Sequence, residues 1–211
     1  MITVIHSDAP ANILQPGDFE CEPGSVGPTT GGLLASPSAV QRVRDRGWTG
    51  IHMLDVCCGV GTIGLRIRCE LGPEIVKSLV LSDWSLPNVR SAQRTVDKYE
   101  LSGVTVLESD GVVAVPNDPP FDLIVSNPPH FCHDGDPTRH SAEPNWHFHR
   151  MFFEALPRFL RPGGEAWLIE AGNGGVPDVA KETLDHSLIE TIGWETEPND
   201  TPFSWLILRR R

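Results

Sequence analysis

Phe121-Asp122-Leu123-Ile124-Val125-Ser126-Asn127-Pro128-Pro129-His130 is an apolar run that stops at an Asn-Pro-Pro turn. Residues 121–125 are too short for a stable helix and are bounded by turn residues, the pattern of a strand buried on both faces. Pro128 and Pro129 lack the N–H that a sheet ladder needs and fix their own φ, so the strand ends there and the next backbone is stiff. Such a turn leaves the Asn127 amide and the carbonyls of residues 126–129 free to accept hydrogen bonds from a group seated above the sheet, and an amine or amide N–H fits. Taken alone, the tripeptide reads equally well as an ordinary loop whose prolines end a strand.

Working outward, Ile51-His52-Met53-Leu54-Asp55-Val56 is a second strand-like run, followed by Cys57-Cys58-Gly59-Val60-Gly61-Thr62-Ile63-Gly64 and a helical pattern through Leu71. Gly59, Gly61 and Gly64 have the G-x-G-x-x-G spacing that turns a backbone tightly after a strand and brings it close to a nucleotide-like ligand. Asp55 discriminates among such ligands, because a carboxylate ahead of the glycines attracts an amino group and repels a pyrophosphate. The expected cofactor is therefore S-adenosylmethionine. The run Leu79–Ser82 ends at Asp83, placed to accept ribose hydroxyls. After a third short strand, Val104–Leu107, Asp110 is placed for the adenine amine. The expected cofactor-binding set is Asp55, Cys57, Gly59, Gly61, Thr62, Asp83, Trp84, Asp110, Gly111 and Asn127.

The order Asp55-x-x-x-Gly59-x-Gly61, Asp83, Asp110, Asn127-Pro128-Pro129-His130 resembles a class I methyltransferase, of the N-methylating group whose fourth strand ends in Asn-Pro-Pro-aromatic. The resemblance spans about residues 27–210 and includes the turn through Arg161-Pro162-Gly163-Gly164 into a fifth strand. It implies a Rossmann-like α/β fold with a seven-stranded, mostly parallel sheet and a C-terminal antiparallel hairpin. Residues 1–26, with strand-like Ile2, Val4 and Ile5 and scattered Ile13, Leu14 and Phe19, read as a short lid or hairpin, and 27–211 as the methyltransferase domain. Ser36-Pro37-Ser38 reads as the start of a helix through Arg46. Helix and strand then alternate until Glu170, and residues 187–194 and 202–209 are the expected hairpin.

At 211 residues the chain is long enough for one α/β core. Five cysteines without framework spacing, no leader-like opening and no apolar stretch near the roughly 20 residues of a membrane span point to a cytoplasmic setting. A formal charge of −11 offers a polyanion no global attraction and suits a small cationic substrate better. The long stretch from His130 to Trp146 is the expected acceptor pocket, carrying Phe131, Asp134, Asp136 and Glu143. His130 either stacks on a planar group or merely replaces an aromatic wedge. Glu143 either pairs with a guanidinium or caps the helix that starts near Asn145. His147 and His149, with Cys132 and His133, lack zinc-ligand spacing, so no metal is expected.

Within the group, the Asn-Pro-Pro-His turn, the acidic loop and the small size are similar to the arginine side-chain N-methyltransferases of streptozotocin biosynthesis. That resemblance implies free L-arginine as the partner in a natural-product pathway, with transfer to the δ nitrogen. It also implies Asn127, Pro128, Pro129 and His130 as the catalytic cavity and Glu143 on the guanidinium. The alternatives are an N-methyltransferase of a nucleic-acid base amine or a protein glutamine amide, and a cofactor-binding subunit without catalysis. The sequence gives no oligomeric state.

Overall fold

In the computed structural model, the described residues are 14–132, 142–171, 175–197 and 202–211. The expectations placed on Ile2, Val4, Ile5 and Ile13, and on His133, Asp134 and Asp136, lie outside them. Five runs form the parallel part of one sheet: β1 (Ile51–Val56), β2 (Val76–Asp83), β3 (Val104–Glu108), β4 (Phe121–Ser126) and, after a two-residue pair β5 (Phe131–Cys132) and β6 (Ala142–Glu143), β7 (Leu160–Ala171). The hairpin β8 (Ile189–Thr196) and β9 (Phe203–Arg210) joins it antiparallel, giving the order β3-β2-β1-β4-β7-β9-β8. The helices are α1 (Thr30–Arg46), α2 (Thr62–Leu71), α3 (Leu86–Lys98), α4 (His147–Phe159) and α5 (Val176–Thr183).

The central strands read as continuous apolar runs because both of their faces are covered. Met53, Leu123, Val125, Trp167, Ile169, Trp205 and Ile207 belong to the core shared with α1, α2 and α3. Their neighbours in sequence, Leu54, Val56, Ile124, Ala166, Leu168, Leu206 and Leu208, belong to the core shared with α4 and α5. The same alternation puts Asp55 on the α2 face of the sheet and Glu170 on the α4 face.

Strand order reverses between β1 and β4, which lie side by side with Val56 opposite Ser126. The chains leaving these two strands diverge and open a crevice at the carboxyl edge, the place where a doubly wound sheet receives its ligand. The Ser126 hydroxyl donates to the Val56 carbonyl at 2.8 Å and ties the two strand ends together.

Three local details depart from expectation. α1 begins six residues before Ser36, because Thr29 Oγ1 accepts from Gly32 N–H at 3.1 Å and caps the helix there. Pro37 then falls inside it, and the Leu33 carbonyl that Pro37 cannot serve lies 3.4 Å from the Ser36 hydroxyl. Between β3 and β4 the chain makes turns and no helix, since Pro116, Pro119 and Pro120 break any helical run. Finally, of the expected lid or hairpin over 1–26, the described residues 14–26 run as a strap along α3. Glu20, Glu22 and Val26 donate backbone N–H groups to Thr95 Oγ1, Ser91 Oγ and Asn88 Oδ1 at 2.8–2.9 Å. Those three side chains recur every three to four residues and so line one face of the helix.

Candidate active site

The crevice is a cavity of about 470 Å³ walled by the loop after β1, the ends of β2 and β4, the strap and the start of α4. Its floor is the glycine turn. Gly59 and Gly61 have φ of +56° and +88°, left-handed values that a side chain strains to reach. Gly64 is needed for closeness rather than for φ: a Cβ there would sit 2.8 Å from Asp55 Oδ2 and 2.9 Å from Leu81 Cδ2.

Asp55 is almost fully buried and accepts from Gly64 N–H at 2.7 Å. Burial pushes its pKa up to about 7, the Gly64 hydrogen bond opposes that rise, and the Asp83 charge adds to it. Such a carboxyl is primed for a cation. Asp83 Oδ2 accepts from Gly59 N–H at 2.8 Å, while Oδ1 accepts from Ser85 N–H at 2.9 Å and Asn88 Nδ2 at 3.0 Å. One carboxylate thereby fixes the glycine loop against the start of α3. Cys57 and Cys58 are held as thiols, since burial, with Asp83 and Asp55 beside them, raises both pKa values well above the ordinary thiol range.

At the end of β4, Asn127 Nδ2 donates to Thr29 Oγ1 at 3.0 Å, which fixes the amide plane. Its Oδ1 is buried without a partner among the described residues, on a residue that lines the cavity. Buried polar atoms of that kind are rare in folded proteins, and this one is suited to accept an N–H from a guest. Pro128, Pro129 and His130 continue the same wall, with the His130 ring 5.3 Å from that of Phe203.

Of the residues expected from sequence, Asp55, Cys57, Gly59, Thr62, Asp83, Trp84, Asp110, Gly111, Asn127, Pro128, Pro129, His130 and Glu143 line this one cavity. Gly61 does not; it caps α2 from behind, where a Cβ would strike Leu65 at 2.7 Å. Glu143 reaches the wall but is already engaged. Oε2 accepts from the Phe148 N–H in the first turn of α4, and Oε1 is bonded to His149 Nδ1. The helix-capping alternative matches that arrangement, and a bidentate hold on a guest guanidinium would have to displace both bonds. His147 is exposed and lies 3.5 Å from Asp110 at the rim. Among the described residues no group of three His, Cys, Asp or Glu side chains is disposed to hold a metal ion.

Sequence reading missed Thr29, Asn88 and the pair His149 and Glu170. One signal for the last was present. His149, Phe152, Phe153 and Leu156 have the i, i+3, i+4, i+7 spacing of a buried stripe, so the histidine had to be inside and had to find partners.

A sheet of this order, with buried carboxylates at the carboxyl ends of β1 and β2 and a glycine turn between them, is that of a Rossmann-like S-adenosylmethionine-dependent methyltransferase domain. The buried Asp55 carboxyl and the Asp83-anchored loop fit that cofactor, which supplies an electrophilic sulfonium methyl when bound. The chain belongs to the family described as "Methyltransferase small domain", which matches over residues 38–191.

Curated relatives include ribosomal RNA small subunit methyltransferase C of Haemophilus ducreyi, 45% identical over 92 residues, which are 44% of this chain and 26% of that protein. The release factor glutamine methyltransferase of Deinococcus radiodurans is 28% identical over 158 residues, 69% of this chain and 52% of that protein. This chain thus spans between about a quarter and a half of these relatives. Among solved structures, a T. thermophilus 16S rRNA N2 methyltransferase in complex with AdoMet and guanosine shares the fold, with a TM-score of 0.63 at 23% identity over 89% of this chain and 44% of that one.

These relatives overturn the expectation of free L-arginine as partner with nucleic acid disfavoured. The proteins similar to this chain are named for ribosomal RNA and for a release-factor glutamine, both macromolecular, and none of the three is named for arginine. The inference from charge failed because net charge is a property of the whole surface, whereas acceptor choice is made inside one cavity. Among the described residues no helix is long and apolar enough to cross a membrane.

Proposed function

We propose that this chain transfers a methyl group from S-adenosylmethionine to the exocyclic amine of a base in ribosomal RNA. The observation that carries the reading is the buried, unpartnered Oδ1 of Asn127 on the wall of the cavity that also holds the glycine turn. An aryl amine offers two N–H groups in a plane and a lone pair delocalised into its ring. Asn127 Oδ1 accepts one N–H and the Pro128 carbonyl the other, which holds the nitrogen in place and returns electron density to it. The stiffness of Pro128 and Pro129 keeps both acceptors in position, and such positioning is the main catalytic resource for a displacement that needs no strong base.

Similarity to the ribosomal RNA methyltransferase named above supports the base-amine acceptor. The formal charge of −11 means that little of the grip comes from neutralising phosphates, so the flipped base itself, stacked in the cavity, carries recognition. A protein glutamine amide is the second reading, favoured by the relative that covers the larger share of both chains. The same two acceptors suit its NH₂ group.

The test is to incubate the purified chain with methyl-labelled S-adenosylmethionine and, separately, deproteinised ribosomal RNA and a glutamine-containing peptide. Digestion to nucleosides with mass spectrometry locates the label. Label on an exocyclic base amine is the expected result. Label on the peptide alone moves the conclusion to the second reading, and label on neither, with the cofactor bound, overturns both.

A further inference from the structure

Behind the Asn-Pro-Pro-His wall, β6, α4 and β7 bring Glu143, His149 and Glu170 together, with side-chain exposures of 5%, 0% and 0%. His149 Nδ1 is bonded to Glu143 Oε1, and Nε2 lies 2.9 Å from Glu170 Oε1. Carboxylates only accept, so both ring nitrogens donate and the ring is an imidazolium. Burial alone would lower the His149 pKa, but the Glu170 and Glu143 carboxylates outweigh it and hold it at about 9. Counted formally as two carboxylates and one imidazolium, this buried cluster carries one surplus negative charge.

The surplus sits on one atom. Among the described residues Glu170 Oε2 has no hydrogen-bond partner, and it faces His130 Nδ1 at 3.6 Å, a buried nitrogen that likewise has none. A line of four groups therefore runs from Glu143 through His149 and Glu170 to His130, from the start of α4 to the cavity wall. Stapling α4 to β7 explains the inner bonds of that line. It does not explain why an unpaired carboxylate oxygen is aimed at the imidazole that follows Asn-Pro-Pro.

We propose that His130 is the proton acceptor of the methyl transfer, with Glu170 positioning its ring and the Glu143–His149 pair fixing Glu170. The inference rests on the N-methylation reading above. As the acceptor nitrogen bonds the methyl carbon, the carbon–sulfur electron pair leaves on sulfur, and the nitrogen's surplus proton passes to His130 Nε2. A small rotation lets Nδ1–H donate to Glu170 Oε2, which leaves the Nε2 lone pair for the guest. On accepting the proton, His130 brings the four-group line from −1 to neutral, so no net charge is created in the interior. A phenyl or phenol ring at this place could stack but could not do this. Among the described residues, His130 faces Glu170 of β7, with His149 from α4 and Glu143 from β6 reached through that carboxylate and the uncharged Phe131 and Phe203 beside its ring. The other ionisable side chains that these residues give the cavity wall, besides its cysteines, are Asp55, Asp83, Asp110 and His147.

Two measurements test it. The first needs no acceptor: nitrogen NMR of the histidine-labelled chain with S-adenosylhomocysteine bound. The expected spectrum has His149 doubly protonated and His130 as the Nδ1–H tautomer, with the His130 signals displaced in Glu170→Gln. The Nε2–H tautomer in the unaltered chain overturns the proposal. The second uses the acceptor labelled in the assay above. His130→Phe keeps the aromatic wedge and the Glu143–His149–Glu170 cluster, so it should bind cofactor normally while single-turnover methylation slows by roughly 100-fold or more and loses a pH inflection. Unslowed methylation by His130→Phe overturns the proton-acceptor role while leaving the N-methylation reading intact. If no acceptor is labelled at all, that reading fails instead, and the NMR experiment still decides the geometry.

Discussion

Asp55 shows how one residue carries both binding and pH dependence. Its carboxyl is raised to about 7 chiefly by burial, so near neutrality it is shared between neutral and ionised forms. A cationic amino group binds only the ionised form. Cofactor affinity is therefore expected to rise as pH increases towards about 7 and to level off above it, measured by calorimetry across that range. Asp55→Asn should flatten the profile and weaken binding by roughly 10-fold or more, the size of a lost charge-assisted hydrogen bond. The role proposed for Asn127 belongs to a different step. Because its Oδ1 is unpartnered until a guest arrives, Asn127→Ala should slow methylation on the order of 100-fold while cofactor affinity changes far less. Equal losses in both would place Asn127 in the cofactor site alone.

The elements that hold these residues were legible to different degrees. β1, β4 and the glycine turn are set by short-range features, an apolar run and the residues that end it, and they formed where the sequence put them. α1 did not, because its start is decided by competition between two good caps. Thr29 wins over Ser36 since its hydroxyl also holds the Asn127 amide, a partner 98 residues away. Thr29→Val should then lower stability by about 1 kcal/mol, the usual worth of a capping side chain, in urea unfolding. It should also slow methylation by loosening Asn127. At the start of α2, Gly64→Ala should be costlier, about 1–3 kcal/mol, because its Cβ would meet Asp55 Cβ and Leu81 Cδ2 at 2.9 Å, on side chains whose burial leaves them little room to yield.

Across the whole molecule, the surface charge of −11 and the buried cluster behave differently. Surface repulsion is screened by salt, whereas the cluster is sheltered from it. The folded His149 pKa of about 9 exceeds its ordinary value of 6.5, so the native state holds a proton that the unfolded chain releases between those values. The stability it contributes is fully present below about 6.5 and is lost as pH rises through about 9, roughly 3 kcal/mol in all. Urea unfolding at a series of pH values should show that decline, little altered by salt, and a flat profile across this window would mean that His149 is not an imidazolium. Arg209 illustrates the same scale. It lies in β9 with Nη2 2.7 Å from the buried Glu165, which also receives Arg46 from α1 at 3.2 Å.

By itself the sequence determined where β1, β4, the glycine turn and the Asn-Pro-Pro wall fall, because each depends on neighbours within a few residues: periodicity, glycine φ and the missing proline N–H. Only the tertiary structure decided what Glu143 and His130 lie against. Their partners lie at positions 149 and 170, on a helix and a strand that meet only when α4 packs on β7, and hydrogen bonding is too short-ranged for sequence spacing to announce it. The proposed acceptor is of the same kind, since a cavity is made by side chains from many elements at once, and the relatives, not the composition, redirect that proposal from a free amino acid to a macromolecule.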